Sequence, residues 1–318
     1  MTAVPRVSVL VAAFNGEAFL EEALASLRGQ TFRDFEAIVV DDGSTDGTAA
    51  LVAKAASADP RFRLLRQANA GTQAARNAAL ADARGTWVGL LDQDDVWLPG
   101  KLEAQIVLAD ADPRANLLFT NYLMWDGTRT TGTRYTRPGK VPEGDVAVGL
   151  CRGCLFQAST VMVPRLLALS LGGFDTELRN AGDWDLWLRI AERGIHARGS
   201  STPLVLYREW SGNESLNHVR TAEEGVRVIE KALDRPQAPP LRAACARSLG
   251  RARAQVELAR ARARLDDPAF VRARLRAAFS ADRTAKRLLE WLAVAWPSSF
   301  GGRRTASIVH AKLARKFR

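Results

Sequence analysis

The chain has 318 residues and only three cysteines, Cys151, Cys154 and Cys245. Three thiols build no disulfide framework. That excludes the small stapled secreted folds and points to a reducing compartment, the cytoplasm. Cys151-Arg-Gly-Cys154 is a lone C-x-x-C. It lacks the second half of a zinc site and has no thioredoxin-like surroundings, so both cysteines read as ordinary residues. No apolar run approaches the ~20 residues that span a bilayer. The nearest, Leu288-Leu-Glu-Trp-Leu-Ala-Val-Ala-Trp296, is too short and contains Glu290. The apolar N-terminal run is framed by neither a basic leader nor a cleavage site, so no secretory signal is read there. These absences leave a soluble protein, or one peripheral on the inner face of the cell membrane.

Acidic charge is also in deficit. The chain has 35 Asp and Glu against 45 Lys and Arg, a net charge of +10. That balance suits a phosphorylated ligand, an anionic membrane or nucleic acid, and does not choose among them. What is present in quantity is apolar: 47% hydrophobic residues support a real core, enough for one large or two ordinary domains.

The apolar residues are ordered. Val7–Ala13 is a continuous run, a candidate central parallel strand. Leu20, Ala23, Leu24 and Leu27 follow helical spacing. Further strands are predicted at Phe35–Val40, Arg61–Arg66 and 86–91, and further helices at Ala49–Ala56, 72–83 and 100–109. Strands and helices in alternation predict an α/β fold: a Rossmann-like, open, mostly parallel sheet with right-handed crossovers and helices on both faces. Beyond residue 110 the pattern loosens. Leu117–Met124, Ser159–Val163 and Pro203–Tyr207 read as strands, 128–142 as a loop, and Trp184, Trp187, Leu188 and Ala191 as one helix face. After residue 216, Ala and Arg dominate with helical spacing. The division is therefore 1–215, an α/β domain, and 216–318, a basic helical C-terminal region.

Two acidic loops fall on one edge of this sheet. Asp92, Asp94 and Asp95 follow directly on the strand at 86–91, and Asp41, Asp42 and Asp46 follow on the second strand. Adjacent carboxylates repel unless a cation or donors compensate. Ligands of open α/β sheets bind at these strand ends. Chemistry alone leaves two readings for 92–95, a hard-metal site or a loop capping the next helix.

Six stretches taken together decide more. They are Val7-Ser-Val-Leu-Val-Ala-Ala-Phe-Asn15, Asp41-Asp-Gly-Ser-Thr-Asp46, Asn69-Ala-Gly with Ala75-Arg-Asn77, Leu91-Asp-Gln-Asp-Asp95, Gly173-Phe-Asp175 and Gly182-Asp-Trp-Asp-Leu-Trp-Leu-Arg189. In this order, across 5–215, the chain resembles family 2 glycosyltransferases of the GT-A fold. The resemblance implies transfer of a sugar from a nucleotide diphosphate donor, a UDP-sugar, to an acceptor hydroxyl with inversion at the anomeric carbon. The acceptor would be a cell-surface glycan or a lipid-linked one. It implies Mn²⁺ or Mg²⁺ bridging the diphosphate, with Asp94 as ligand and Asp92 on metal or ribose. Asp95 would assist or cap the next helix. It implies donor contacts from the Ala12 backbone, Asp42 (on the base N–H), Asn69, Arg76 and Arg208 (on the diphosphate), with Asp41 supporting its loop. Asp183 would be the base that takes the acceptor's proton.

Bland alternatives stand beside some of these. Arg76 also reads as a solvated helix charge. Asp183 also reads as an N-cap, which the helix dipole would keep ionised and weakly basic. Trp184 and Trp187 read mainly as core, the lesser alternative being that one of them packs on a sugar. Two positions depart from the family pattern. Gly182 stands where an acid often precedes the base. Trp210, in Tyr207-Arg-Glu-Trp210, stands where a metal-ligating His is common, and an indole N–H is only a donor. Glu209, water or a weaker site would then replace that ligand.

The basic tail has three readings: a solvated face, an anionic lipid contact, or nucleic acid. Trp291, Leu292, Val294 and Trp296 beside Arg283, Lys286 and Arg287 favour the membrane surface and make nucleic acid the poorer choice. Two other functions compete. A sugar nucleotidyltransferase would need an early basic Gly-rich loop, which Ala12-Ala-Phe-Asn-Gly-Glu17 lacks. A degenerate nucleotide-sugar-binding scaffold is suggested by Trp210 and Gly182.

Overall fold

A computed structural model describes residues 4–134, 141–264 and 267–282. The aromatic and basic cluster at 283–296 lies outside the described residues. The first half alternates as expected: β1 (Val7–Ala13), α1 (Leu20–Arg28), β2 (Phe35–Asp41), α2 (Thr48–Ala58), β3 (Phe62–Arg66), α3 (Thr72–Asp82) and β4 (Trp87–Asp92). After these come a two-residue β5 (Val96–Trp97), α4 (Lys101–Ala111), β6 (Leu117–Trp125) and β7 (Thr130–Thr133). Then follow α5 (Ala147–Leu150), β8 (Val161–Pro164), α6 (Arg165–Ser170), α7 (Gly182–Glu192) and β9 (Ala197–Arg208). Three helices close the described chain: α8 (His218–Asp234), α9 (Pro239–Arg262) and α10 (Pro268–Ala281).

One sheet runs β3-β2-β1-β4-β8-β6-β9-β5, with β7 on β6. Its β3-β2-β1-β4 half is parallel throughout. The other half is mixed, because β8 pairs antiparallel with both β4 and β6 while β9 runs parallel to β6. The parallel β1 is buried on both faces. Val7, Val9 and Val11 meet α1, α2 and α4 on one side, and Leu10 meets α3 on the other. This alternation is why its sequence is apolar without a break. The β6–β9 register shifts on either side of Asn121, and such bulges bend a strand. Part of the predicted 128–142 loop is strand, since β7 pairs with β6.

Of the C-terminal helices, α8 and α9 share the core of the α/β domain, while Ala278 of α10 packs with Ala254 and Leu258 of α9. Val228 and Ile229 of α8, and Leu241, Ala244 and Cys245 of α9, are buried in the same cluster as Leu186 and Trp187 of α7. Cys151 and Cys154 do not face each other. Cys151 Sγ lies 2.7 Å from Cys245 Sγ, while Cys154 Sγ donates to the Phe156 carbonyl.

One core feature has a stability consequence. Lys101 is fully buried, and its Nζ lies 3.4 Å from the centre of the Trp97 ring with no hydrogen-bond partner among the described residues. Burial pushes its pKa well below the usual lysine range. Replacing it with Met keeps the stem's packing and removes an unsatisfied polar group. Lys101→Met is expected to raise the unfolding free energy by about 1–3 kcal/mol. A urea midpoint unchanged or lowered would refute this.

Candidate active site

The carboxyl ends of β1, β2 and β4 open onto a cavity of about 900 Å³, lined among others by Ala12, Asp42, Arg76, Asp92, Asp94 and Asp183. The loop after β2 forms its first wall. Asp41 is fully buried and accepts from the Ser44 N–H and Arg66, so it holds its own loop, as expected. Asp42 is also buried. It accepts from Gln67 Nε2 (2.7 Å) and from the N–H groups of Ala70 (2.9 Å) and Gly71 (2.8 Å). A carboxylate offers about four lone-pair sites, so little of Asp42 is left for a ligand. Gly43 makes this arrangement possible. Its φ is +77°, and a Cβ there would come within 2.8 Å of the Asn69 nitrogen. Asn69 itself is exposed and does not line the cavity. The backbone beside it is pinned by Asp42, which turns its side chain elsewhere.

Arg76 is no solvated helix charge. It is 6% exposed, donates to Asp92 Oδ1 at 2.5 Å, and lies over the Phe174 ring. Asp92 therefore enters the cavity already partly neutralised. Asp94 does not. Burial and the neighbouring Asp92 charge raise its pKa. Its Oδ2 accepts one hydrogen bond, from Trp210 Nε1 at 2.8 Å.

Asp95 neither faces the cavity nor caps α4, whose N-terminal cap is Gly100. It is 1% exposed and accepts from Ser159 Oγ (2.6 Å), Gln157 Nε2 (3.2 Å) and the Arg208 N–H (3.0 Å). It ties the end of β4 to the turn before β8 and to the end of β9. Arg208 likewise stays out of the cavity. Its guanidinium lies between the rings of Phe19 (4.6 Å) and Trp125 (4.2 Å), bonded to Glu22 and to the Asp94 carbonyl. A cation so stacked and paired is committed to positioning the acidic loop. Glu209 accepts from Thr131 Oγ1 of β7 and does not line the cavity.

Asp183 is the second residue of α7, not its cap, which is Ala181. Gly182 has a packing reason: a Cβ there would meet the Gln73 side chain of α3 at 2.5 Å. An acid at this position would require the Gln73 side chain to move. The close approach also sets Asp183 against α3. Burial pushes Asp183 up to about 6; Arg76 pulls the other way and the Asp92 charge adds to the rise. The expectation of a firmly ionised, weak base is thus corrected. The helix end is overridden by burial, and the carboxylate is more basic than a capping Asp. Trp187 is core, whereas Trp184 is half-buried, lines the cavity, and donates to the Leu150 carbonyl. Asp185 is paired with Arg189 and Arg235.

The cavity also has residues that no motif announced. Arg152, Arg179, Gly225 of α8 and Leu258 and Arg262 of α9 line it. Gly225 is the one with a readable reason. A Cβ there would lie 3.1 Å from the Trp184 ring, so a small residue lets α8 close on α7.

Among the described residues, no three His, Cys, Asp or Glu side chains converge as a metal cage. A resident ion held by protein alone does not fit these residues. A hard cation carried in with a diphosphate needs only one or two carboxylates from the protein, and Asp94, under-compensated beside Asp92, fits that need. Trp210 would then compete with the cation for Asp94. Trp210→His is expected to retain or raise Mn²⁺ affinity in the presence of UDP, measured by calorimetry. A clear loss would show that the indole supports the site instead.

An α/β sheet of this topology, with an acidic loop after β4 and a half-buried Asp at the start of α7, defines a GT-A glycosyltransferase. The comparisons agree. The description "Glycosyl transferase family 2" matches residues 8–146. The putative glycosyltransferase EpsE of Bacillus subtilis is 30% identical over 212 residues, covering 65% of this chain and 74% of EpsE. The Escherichia coli protein WfaP, a UDP-Glc:alpha-D-GlcNAc-diphosphoundecaprenol beta-1,3-glucosyltransferase, is 29% identical over 214 residues, covering 66% of this chain and 80% of WfaP. Among solved structures, the mannosyltransferase PcManGT of Pyrobaculum calidifontis, in complex with GDP-Man and Mn²⁺, superposes with a TM-score of 0.62 at 22% identity. It covers 100% of this chain and 82% of that one. S. aureus TarS 1-349 with UDP-GlcNAc gives 0.63 at 20% identity, covering 87% and 88%. The chain belongs to glycosyltransferase family 2.

Proposed function

We propose that this glycosyltransferase moves a sugar from a UDP-sugar to an acceptor hydroxyl of a cell-surface glycan or lipid-linked glycan, with inversion. The observation that carries this reading is Asp183. It is a carboxylate raised to about 6 that shares one cavity with the Arg76–Asp92 pair and with Asp94. Inversion requires a base across the sugar from the leaving diphosphate. A group titrating near 6 is ionised at pH 7 and still basic enough to take a proton as the acceptor oxygen attacks. Arg76 orients Asp92 and places positive charge where the diphosphate would lie. Ala12 and the remaining capacity of Asp42 face the nucleoside. Asp94, with Asp92, would hold Mn²⁺ or Mg²⁺, which when bound offsets charge developing on the leaving diphosphate. The glycan class is supported by WfaP, whose printed activity is on a diphosphoundecaprenol-linked sugar. Among the described residues no helix is long and apolar enough to cross a membrane, which is compatible with peripheral attachment at the inner membrane face.

The test is a thermal-shift screen of nucleotide sugars with Mn²⁺, followed by transfer assays with the donor that shifts the melting temperature most. A donor that shifts Tm and releases nucleoside diphosphate supports the reading. Binding without turnover across a panel of glycan acceptors would favour a non-catalytic scaffold.

A further inference from the structure

Beyond Asp183 the cavity continues to a wall built by residues 152–157, 179–184, α8 and α9. The two ends differ in charge. The strand-end side supplies Asp42, Asp92 and Asp94 against the single guanidinium of Arg76, which is paired with Asp92. The far side supplies Arg134, Arg152, Arg179 and Arg262, and among its lining residues the one carboxylate besides Asp183 is the exposed Glu214. Several arginines of the C-terminal helices are taken up by acids: Arg235 by Glu192 and Asp185, Arg253 by Glu230, Arg260 by Glu223 and Glu257. Arg152 and Arg179 are exposed and make no ion pair among the described residues. Arg134 donates to the Cys154 carbonyl at 3.3 Å, which brings it to the same loop as Arg152. Guanidinium groups left without carboxylates in a concave site raise the local concentration of anions.

We infer that this end of the cleft is a phosphate subsite, in which Arg152 and Arg179, backed by Arg134, hold an acceptor whose reacting sugar is borne on a phosphate or diphosphate. The inference rests on the transfer reading above, with Asp183 as base. The number of cations selects phosphate over a carboxylate sugar, because a phosphate group carries up to about two negative charges. Guanidinium forks also match phosphate oxygens in pairs. Next to these arginines the wall is apolar, with Trp184, Leu155 and Leu258 lining it. A lipid carrier would lay its first isoprene units there; a soluble phosphorylated glycan would use the arginines alone.

The subsite is testable without knowing the acceptor sugar. Calorimetry in EDTA, which keeps diphosphates from binding through a metal at Asp94, would compare farnesyl diphosphate, farnesol and glycerol 3-phosphate. Farnesyl diphosphate is expected to bind more tightly than farnesol. The exposed-residue variant Arg152→Gln/Arg179→Gln should weaken it at least about tenfold, as loss of charge-assisted contacts does. Glycerol 3-phosphate binding as tightly as farnesyl diphosphate would assign the subsite to soluble phosphorylated glycans, and weaker binding would assign it to a lipid carrier. Both outcomes require sensitivity to the double substitution. Farnesol equal to farnesyl diphosphate, no binding of either phosphate, or an unchanged Kd in the variant overturns the inference. UDP with Mn²⁺ should bind wild type and variant alike. Failure of UDP to bind either would count against the transfer reading and leave the phosphate result to stand by itself.

Discussion

Asp183→Asn is expected to lower the rate of sugar transfer by about 10³-fold, the middle of the range for loss of a general base, with little change in donor affinity. Asn keeps the shape and the polar edge of the side chain but cannot accept the proton. Asp183 lies on α7 and makes no hydrogen bond to the loop after β2, so Kd for the nucleotide sugar should move less than about threefold. The wild-type pH profile carries the same information. With Asp183 at about 6, kcat/KM should fall about tenfold per pH unit below that value and level off above it. A profile flat down to pH 5, or an Asn variant with near-normal transfer, would remove Asp183 from the base role.

The same residue makes a stability prediction of opposite sign. An Asp whose folded-state pKa lies above its unfolded value of 3.8 stabilises the fold below 3.8. It loses that contribution as pH rises to about 6 and stays without it at neutral pH. Two units correspond to at most about 3 kcal/mol, and water entering the open cleft reduces this. Asp183→Asn should therefore be more stable than wild type at pH 7.5, and the difference should vanish near pH 4. Activity lost while stability is gained is the signature of a group kept for chemistry, because a structural N-cap would lose both.

The parallel half of the sheet was legible because each of its strands has local punctuation. Asn15-Gly16, Asp42-Gly43 and Gly85 mark where β1, β2 and the approach to β4 begin or stop, and the apolar runs between them need no partner to be recognised. β5 and β7 were not legible. Val96–Trp97 is strand because β9 lies beside it, and Thr130–Thr133 is strand because β6 does. Such pairings are properties of the folded chain, not of the segment. The site divides the same way. Arg76 on α3 and Asp92 and Asp94 at the end of β4 line the cavity as their motif positions imply. Arg208 follows the family order equally well, yet Phe19 and Trp125 from distant segments capture its guanidinium. Asn69 sits in a matching motif, but the Asp42 carboxylate takes the backbone beside it. Asp183 read as a cap because sequence shows the helix start, whereas its raised pKa comes from what α3 and the rest of the cleft wall bury around it.

Asp94→Ala should have the other large effect, on diphosphate recognition and not on the base. Asp94 is the carboxylate at the acidic loop whose oxygens bond no cation among the described residues, since Arg76 is spent on Asp92 and Arg208 bonds only the Asp94 carbonyl and acts on the carboxylate through space. Its charge is held in place against burial and against Asp92, which raise its pKa. A carboxylate so disfavoured is ready to take a divalent cation, and a metal site that loses one of two carboxylates loses most of its affinity. In the variant, the Kd for UDP with Mn²⁺ is expected to rise by about 30-fold or more, which is about 2 kcal/mol. UMP and uridine should bind as in wild type, because the Asp42 wall is untouched. Adding EDTA to wild type should reproduce the variant's preference, and adding it to the variant should change nothing further. If UMP and UDP weaken equally, Asp94 acts on the fold of the loop through Trp210. If neither weakens, the diphosphate is held by Arg76 alone.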